Sequence, residues 1–523
     1  MIPNLSELPA VKALIDKIEP WVNEYLKNYT PRHIYANKEV KDAVWGMTIL
    51  RPLEVAILDS PLLQRLRRIY QTGLVNLTYP TALHTRFEHS IGMLHCATLI
   101  INSIDSNEKS QEKNPIFIKQ VEQEIRLACL LHDIGHSALS HMTEEIYSND
   151  DEIDRTKQAL EFLDPPVKPK NHELISAIII MTPSFLSVFD KILDINRNPL
   201  ITIDSIYRIA DMIIGRPVEG ELKQTYITDI INGSYDADRL DYVFRDSYFT
   251  GLALGTDVHK FISGLSVKEV ESTGKTSIVL HYNSISAYDR LISSKISLHS
   301  DVYNHQKVLA TNMLVKNILY LLNDTSNNIQ GINLSNRINF LSFTDWSLLT
   351  GDTNSTEIKE LQGMIARRDI PVRYVKIFKQ SINCEKINDN EDDEYPPSIA
   401  PYFAGGNEQR IELTRQLCEK CGFGFFKPKS ISIEYSNSLR LGELQNAYIK
   451  NYDGTTVLYD KIIPSNMYGN EYGNKWAVYV FGSYEKLTSD VYKKVSSYLQ
   501  HKLGIALNDN AKPNKILRER TRQ

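Results

Sequence analysis

Histidine and aspartate residues in three separate stretches constrain the fold of this chain more than any other feature of its sequence. The stretches are HTRFEHSIG at residues 84–92, LLHDIGHSALSH at residues 130–141 and DADRLDYVFRD at residues 236–246. A fold that brings His89, His132, Asp133 and Asp238 together gives a divalent cation two imidazoles and two carboxylates. Such a site leaves positions open for water and for a phosphate oxygen. The sequence therefore predicts a metal centre that polarises a phosphoryl group.

The middle stretch is the densest in groups that bind metals or transfer protons. We predict that His132 and Asp133 are neighbours on a helix, with side chains about 100° apart around its axis. His136 then lies four residues after His132 on the same helical face. His141 and Glu144 follow near the end of the same element. This concentration of residues indicates a chemical site rather than ordinary core packing.

A histidine that binds a metal needs a partner for its second ring nitrogen, and Glu88, Glu173 or a backbone carbonyl are the candidates. Gly135 lacks a side chain, which lets another group approach closely. Mixed nitrogen and carboxylate ligands suit Fe, Mn, Zn or Ni better than Ca, and Mg is the weakest fit beside two imidazoles. The predicted cofactor is therefore a divalent metal ion (Mn, Fe, Mg, Zn or Ni).

Composition and charge limit the class of protein. The chain has 523 residues, of which 42% are hydrophobic, so it can form a large core and two or three domains. Its net charge is -5 and its pI is about 6.3, so no overall basic field favours nucleic acid. The first residues do not resemble a signal peptide, and no run approaches the ~18 apolar residues of a membrane span. We therefore predict a soluble, cytoplasmic protein without a membrane partner.

The pattern of apolar residues divides the chain into a helical part and a mixed part. Residues 50–325 have mostly helical spacing, apart from a strand pair at residues 261–270 and 276–282 around a short turn. Residues 287–322 contain no Gly or Pro, which predicts one long helix or two in line. Beyond residue 330, three strand-like runs and a final helix occur at residues 430–435, 456–459, 476–481 and 487–503.

We predict a mainly α fold, with a helical core and a smaller α+β lobe at the C-terminal end. The predicted division is an N-terminal helical segment at residues 1–45, the main helical domain at residues 46–325 and the α+β lobe at residues 326–523. Within that lobe, residues 386–397 are acidic and polar and end in prolines, which predicts a loop.

The three stretches resemble those of the HD-domain phosphohydrolases. More narrowly, they are similar to the deoxynucleoside triphosphate triphosphohydrolase family, which includes bacterial dGTPases. The spacing H-D-x-G-H-x-x-x-S-H, with R-F-E-H-S before it and D-A-D-R-x-D-Y-x-x-R-D after it, carries the resemblance. It extends from about residue 45 to the segment at residues 299–305. The resemblance implies that the helical core is an HD domain.

By the same resemblance, residues of these motifs have distinct roles. The implied metal ligands are His89, His132, Asp133 and Asp238. The implied catalytic residues are His136, His172, His141 and Glu144. His136 and His172 would contact the α-phosphate, whereas His141, paired with Glu144, would act as a general acid or base beside the leaving group or the attacking water.

The resemblance also implies contacts with a nucleotide substrate. The residues implied to line the triphosphate are Arg86, Arg239, Tyr242, Lys295 and Tyr303, and those facing the sugar are Gln71 and Asp246. A triphosphate carries about four negative charges, so such a site needs several cations beside the metal. Lys295 stands where members of the family often carry Arg, which exchanges a bidentate contact for a point charge.

A second nucleotide site is also implied. Asp59 and Arg67 match positions that bind an activating nucleotide in some relatives. The alternative is that Asp59 caps the following helix and that Arg67 lies on its face. Because family members are commonly oligomers, a homo-oligomer is implied as well.

The implied activity is metal-dependent hydrolysis of a deoxynucleoside triphosphate (dNTP) to a deoxynucleoside and inorganic triphosphate. Two alternatives remain open. One is an HD-type nuclease or phosphodiesterase acting on single-stranded nucleic acid or a modified nucleotide, which the acidic pI disfavours because it needs a basic groove with stacking aromatics. The other is a nucleotide sensor without catalysis, which would not need a complete water-activating site.

Overall fold

The computed structural model describes residues 4–109, 116–218, 224–378, 406–436, 447–462, 476–503 and 507–511. The predicted acidic loop at residues 386–397 lies outside these ranges. The chain divides into two compact units. The first comprises residues 1–298, 336–348 and 442–462, and the second comprises residues 299–335, 349–441 and 463–523. The predicted domain boundaries at residues 45 and 325 stay predictions.

Helices dominate the part of the chain that the structure describes. In chain order they are α1 (Pro9–Leu26), α2 (Pro52–Leu58), α3 (Pro61–Gln64), α4 (Arg86–Lys109), α5 (Lys119–Leu131), α6 (Asp151–Glu161), α7 (Asn171–Met181), α8 (Pro183–Asn196), α9 (Asp204–Ile213), α10 (Tyr226–Asn232), α11 (Ala237–Thr250), α12 (Val258–Ser263), α13 (Ile285–Ser297), α14 (Gln306–Leu322), α15 (Asp345–Thr350), α16 (Thr356–Ala366), α17 (Gly406–Cys421) and α18 (Ser489–Leu503). Short 3-10 segments separate several of them.

Two helices form the middle of the first unit. Every residue of α7 is buried, and so is every residue of α5 from Gln123 to Leu131. A helix that is buried on all sides belongs to the interior of a core rather than to one of its faces. α4 packs against α5 and α11, and α9 packs against both α5 and α7. This packing brings the first turns of α4, α7 and α11 close to the residues that follow α5.

The described strands form three small sheets. In chain order the strands are β1 (Lys38–Asp42), β2 (Gly46–Leu50), β3 (Leu265–Val270), β4 (Lys275–His281), β5 (Val372–Ile377), β6 (Ser432–Ser436), β7 (Tyr448–Lys450), β8 (Thr456–Leu458) and β9 (Ala477–Gly482). The sheet orders are β1-β2, β3-β4-β7-β8 and β5-β9-β6. The first two sheets belong to the first unit and the third belongs to the second unit.

The predicted strand pair exists as β3 and β4, which are antiparallel with Leu265 opposite Leu280. The first strand begins at Leu265 rather than at residue 261. The reason is that Asp257 accepts a hydrogen bond from the Lys260 N–H and caps α12, which occupies the preceding residues. The predicted long helix at residues 287–322 is two helices, α13 and α14, separated by a π-helical turn at Leu298–Tyr303.

The second unit has its own core. Buried apolar residues of β5, β6 and β9 pack together with those of α17 and α18, including Val375, Ile433, Val480, Leu417 and Leu499.

Strands β6, β8 and β9 and helix α18 correspond to the strand-like runs and the final helix seen in the sequence. The prediction of a mainly α fold with a smaller α+β part is confirmed.

Among the described residues, no single helix has the length and apolar composition of a membrane span. Only the consecutive helices α7 and α8, which are bent by 63° relative to each other, reach that composition when they are joined.

Candidate metal centre and adjoining pocket

Local sequence sets where the helices of the site begin. Glu88 Oε2 accepts hydrogen bonds from the backbone N–H and the hydroxyl of Thr85, so α4 starts at the next residue and His89 lies in its first turn. Asp236 Oδ1 accepts a backbone N–H of α11 at 2.6 Å and caps that helix, which places Asp238 in its first turn. Two predicted metal ligands therefore come from helix starts.

His132 and Asp133 do not lie within a helix, contrary to the prediction, because α5 ends just before them. The backbone of Gly135 lies directly against α7. Its N–H donates to Ser176 Oγ at 2.8 Å, and a Cβ at this position would lie 2.6 Å from the Ser176 N atom. The predicted close approach at Gly135 is thus confirmed, and it directs the chain across the start of α7. His136 consequently does not share a helical face with His132.

The four predicted metal ligands converge. His89 Nε2 lies 3.0 Å from Asp238 Oδ1 and 3.8 Å from Asp133 Oδ2. His132 Nε2 lies 3.2 Å from Asp133 Oδ1. The ligand atoms of His89, His132 and Asp133 are all within 4.8 Å of one another. Two imidazole nitrogens and one carboxylate thus face one point, and the Asp238 carboxylate reaches this group beside His89.

The burial of these atoms fits a bound cation. Within the described part of the chain, His89 Nε2, His132 Nε2 and Asp133 Oδ1 are buried and make no hydrogen bond of good geometry. Buried polar atoms without partners are costly in a folded protein. A divalent metal ion would satisfy all three atoms, so the donor set fits the predicted cofactor.

Both histidines of this set have a partner for their Nδ1 atom. His132 Nδ1 donates to the Cys129 carbonyl oxygen at 2.7 Å. Since a carbonyl oxygen only accepts, the Nε2 lone pair of a neutral His132 is left for a metal. A backbone carbonyl was among the predicted partners. Glu88 and Glu173 were wrong candidates, because the two Nδ1 atoms bind the Cys129 carbonyl oxygen and Asp241 instead.

Asp241, which was not predicted from the sequence, is the partner of His89. Its Oδ2 lies 2.7 Å from His89 Nδ1, and Arg245 donates two hydrogen bonds of 2.9 Å to the same carboxylate. Gly92 leaves space for this pair, since a Cβ there would lie 2.7 Å from Asp241 Cγ. Burial opposes ionisation, yet Arg245 and His89 lower the pKa of Asp241 to about 2. The D-x-x-D spacing from Asp238, which puts both carboxylates on one helical face, was the available signal.

Asp241→Asn should weaken metal binding while the fold is retained. A neutral amide holds the His89 Nδ1–H less strongly, so the affinity for Mn²⁺ should fall about 10- to 100-fold. Isothermal titration of the metal-free protein with Mn²⁺ measures this change. Asp257→Asn, at the exposed cap of α12, is the matched control and should leave the affinity unchanged. Wild-type affinity in Asp241→Asn would contradict the role of this carboxylate.

Arg86 is buried and contacts the metal set directly. Its Nη1 donates to Asp133 Oδ2 at 2.8 Å, and its Nε donates to Ser140 Oγ at 3.0 Å. Burial alone would raise the pKa of Asp133, but Arg86 and the histidines around it hold that pKa well below its usual range. Arg86 therefore keeps Asp133 in the ionised form that binds a metal.

The four predicted catalytic residues form a second cluster beside the metal set. Glu144 Oε1 accepts from His172 Nδ1 at 2.6 Å and from His141 Nδ1 at 2.7 Å. The His136 ring stacks on that of His172, with centroids 4.0 Å apart and 17° between the planes. His136 Nε2 lies 3.4 Å from Asp133 Oδ1, so His136 connects the two clusters.

The pKa values of the members of this second cluster are shifted in different directions. Burial, together with the positive charge of Arg86, lowers the pKa of His136 well below its ordinary value. Burial also acts on His172, but Glu144 outweighs it and raises the pKa of that histidine. Against the effect of burial, His172 and His141 hold the pKa of Glu144 well below its usual range. The side chain of His141 is 58% exposed, so it is the member that can exchange a proton with a ligand.

A cavity of about 620 Å³ adjoins Asp238. The charged and aromatic residues in its wall include Lys170, Glu173, Asp238, Arg239, Tyr242 and Lys295. Three of the predicted substrate residues, Arg239, Tyr242 and Lys295, are therefore brought together here. Lys170, whose Nζ lies 3.0 Å from Glu173 Oε1, was not predicted, although it directly precedes the N-H-E sequence that carries His172. The volume is in the usual range for small-molecule sites.

Other predicted substrate residues do not line this cavity. Gln71 is buried, and Asp246 Oδ1 lies 2.7 Å from His84 Nε2. Tyr303 belongs to the second unit, at the end of the π-helical turn. Arg86 contacts Asp133, as described above. The roles of these four residues toward a substrate stay predictions.

Asp59 and Arg67 lie near the start of the chain's first unit. Asp59 follows the last residue of α2, and the position that caps the next helix belongs to Ser60, so the capping alternative was wrong. Arg67 Nε donates to Gln64 Oε1 at 2.9 Å, and its guanidinium lies 3.5 Å above the Phe87 ring. An activating nucleotide at this place stays a prediction.

Comparison with known proteins agrees with this geometry. The HD domain family matches residues 86–182. The chain is 31% identical over 280 residues to an uncharacterized protein of Methanocaldococcus jannaschii, covering 53% of this chain and 48% of that protein. It is 27% identical over 293 residues to deoxynucleoside triphosphate triphosphohydrolase SAMHD1 of Danio rerio, covering 51% and 42% respectively. The chain thus spans about half the length of the curated relatives it matches.

Among solved structures, a hypothetical protein from Aquifex aeolicus superposes with a TM-score of 0.59 at 22% identity, over 88% of this chain and 100% of that one. This likeness concerns the fold alone. Residues 86–182 thus match the HD domain family, and the chain is similar in sequence to dNTP triphosphohydrolases. Its cofactor is a divalent metal ion.

Proposed function

We propose that this HD-domain protein hydrolyses dNTPs in a metal-dependent reaction that releases a deoxynucleoside and inorganic triphosphate. The observation that carries the proposal is that three features lie next to one another. They are the candidate metal ligands, the histidine cluster around Glu144 and the cavity with charged walls beside Asp238. The sequence similarity to dNTP triphosphohydrolases supports the same reaction.

The candidate ligands are held in place before any substrate binds. When bound, a divalent ion at His89, His132, Asp133 and Asp238 supplies Lewis acidity toward a phosphoryl oxygen and lowers the pKa of water. Asp241 fixes the His89 ring, the Cys129 carbonyl fixes the His132 ring, and Arg86 keeps Asp133 ionised. Fixed donor atoms need little reorganisation during the reaction, which favours catalysis.

The cluster around Glu144 handles charge and protons. Glu144 binds the Nδ1 atoms of His141 and His172, which leaves the Nε2 atom of each ring for the substrate. In the proposed reaction, a water oxygen bonds to the α-phosphorus as the bond to the 5′ oxygen breaks. His141, the exposed member, donates the proton that the leaving oxygen needs or accepts one from the water. His172 and the neutral His136 contact the α-phosphate.

The cavity wall carries charges of both signs, and its cations are the groups that would contact a triphosphate. The cations are Lys168, Lys170, Arg239 and Lys295, and the acids are Glu173, Asp229, Asp236 and Asp238. A triphosphate carries about four negative charges, and cations positioned around it stabilise the charge that develops on the leaving group. Tyr242 presents an aromatic ring and a hydroxyl to the same space, which suits packing against a deoxyribose.

The proposal extends to assembly and regulation. As the family resemblance implies, we also propose that the protein forms a homo-oligomer and that an activating nucleotide binds near Asp59 and Arg67. The exposed position of Asp59, with Lys38 Nζ 4.0 Å from its carboxylate, leaves that side chain accessible to a ligand.

Product analysis tests the proposed reaction. The purified protein is incubated with Mn²⁺ and each of the four dNTPs, singly and mixed, and with the matched rNTPs, and the products are separated by ion exchange. We expect a deoxynucleoside and inorganic triphosphate, and much less product from rNTPs. Turnover only in the mixture would indicate an activating nucleotide. Release of pyrophosphate or of single phosphates instead of triphosphate would contradict the proposed bond cleavage.

The same assay separates the two alternatives. Cleavage of a single-stranded oligonucleotide without turnover of any dNTP would favour the nuclease. Binding of dNTPs, with no product in the presence of Mn²⁺, would favour a sensor.

A further inference from the structure

Asp345 lies outside the three sequence motifs, yet it binds the backbone of two segments of the site. Its Oδ1 accepts the Leu139 N–H at 2.6 Å, and its Oδ2 accepts the Tyr70 N–H at 2.8 Å. The residue is only 2% exposed. It comes from the short segment Asn336–Leu348 of the first unit, and the chain on both sides of that segment belongs to the second unit.

The loop that Asp345 holds has a strained backbone. Leu139 has φ 62° and Ser140 has φ 56°, so two consecutive residues other than glycine are left-handed. Such a conformation persists only where the surrounding structure imposes it, and it is often found at functional sites. His141, the exposed histidine of the second cluster, is the next residue. Its position therefore depends on contacts that keep Leu139 and Ser140 in this conformation.

A chain of hydrogen bonds connects the same contacts to the metal set. Ser140 Oγ donates to the Tyr70 carbonyl oxygen at 2.6 Å and accepts from Arg86 Nε at 3.0 Å. Arg86 in turn donates to Asp133 at 2.8 Å. Asp345 binds the N–H of Tyr70 and the N–H of Leu139, the residue before Ser140. One carboxylate therefore positions both the donor and the acceptor segment of the hydrogen bond from Ser140 to Tyr70.

The chemistry of the side chain suits this task. A carboxylate accepts two N–H groups at once, one on each oxygen, whereas an amide has one oxygen and would turn its own NH₂ group toward the other donor. Burial raises the pKa of Asp345 to about 7. The two backbone N–H groups and Arg86 oppose this effect, because they favour the ionised form. Burying an acidic side chain costs free energy, so a residue that only fills space is seldom an acid bound by two backbone donors.

We propose that Asp345 is a positioning residue that clamps the loop Leu139–His141 to Tyr70 and so sets the placement of His141 and Arg86 for the reaction. This inference rests on the proposed function for its kinetic test. It does not rest on that function for its structural test.

Asp345→Asn tests the clamp, because it keeps the size of the side chain and removes one acceptor. With dNTP and Mn²⁺, we expect kcat to fall about tenfold or more, whereas KM changes less than about threefold. Bound metal per protein should be unchanged. Hydrogen exchange, read by mass spectrometry, should become about tenfold faster at the Tyr70 and Leu139 amides. Asp352→Asn, an exposed acid of the second unit, is the control and should change none of these quantities.

Two results would overturn the proposal. The first is wild-type kcat in folded Asp345→Asn, even with a lowered melting temperature, because a purely structural role predicts that pattern. The second concerns the wild-type protein and holds even if the variant does not fold: exchange of the Tyr70 and Leu139 amides at the rate of an unstructured chain. If wild-type protein turns over no dNTP, the proposed function fails, and the exchange rates alone decide about the clamp.

Discussion

Replacing His132 and Asp133 together by Ala should abolish dNTP turnover in a protein that still folds. The double variant removes one imidazole and one carboxylate from the four candidate ligands and leaves His89 and Asp238 alone. We expect a loss of about 10⁴-fold or more in kcat/KM, which corresponds to about 5.5 kcal/mol of transition-state stabilisation. The fold should survive because both residues follow α5 rather than form it. The double variant should nevertheless have a lower melting temperature, because the buried Arg86 loses its partner Asp133.

The measurements are metal content, circular dichroism and turnover on the same preparation. His259→Ala is the matched control, since His259 is exposed and lies outside both clusters. It should bind metal and turn over dNTP as the wild type does. Normal turnover by a folded, metal-free double variant would remove the central claim. Retained dNTP binding with complete loss of turnover would agree with it and would show that binding and chemistry use separate groups.

Much of the site was predictable because its residues lie at helix ends that the sequence marks. Thr85 and Glu88 mark the start of α4, and Asp236 marks the start of α11. The adjacent His89 and Asp238 are therefore placed by local rules. Grouping them into one site needed the motif spacing, because local rules do not specify which helices pack together.

The parts that were not predicted depend on contacts between distant segments. The sequence predicted a close approach at Gly135, but neither its partner, helix α7, nor the end of α5 before His132. Asp345 reaches the site from a segment about 200 residues beyond Leu139 in the chain. The contact of Arg86 with Asp133 joins the start of α4 to the turn after α5. Each of these is a property of the packed core and not of a sequence window.

Gly135→Ala should damage both stability and activity, although it adds only one methyl group. The added Cβ would meet the His172 carbonyl oxygen and lie 2.6 Å from the Ser176 N atom, both of which are backbone atoms of the buried helix α7. Neither atom can move away as a flexible side chain would, so the turn and the helix must separate. We expect a loss of about 3 kcal/mol in the free energy of unfolding, the upper part of the range for overpacked cores.

The same displacement should cost activity beyond the loss of stability. The turn at Gly135 carries His136, whose ring stacks on His172 of α7, so separating the two elements moves one cluster relative to the other. A shift of about 1 Å between reacting groups can cost about 100-fold in rate, and we expect kcat to fall by that order at a temperature where the variant is fully folded.

Gly255→Ala is the matched control, because a Cβ there has no neighbour within 4 Å. Urea unfolding and kcat measured for both variants decide the matter. Equal stability and equal kcat in the two would show that α7 and the turn are not packed as closely as the structure has them, and that their contact does not set the geometry of the site.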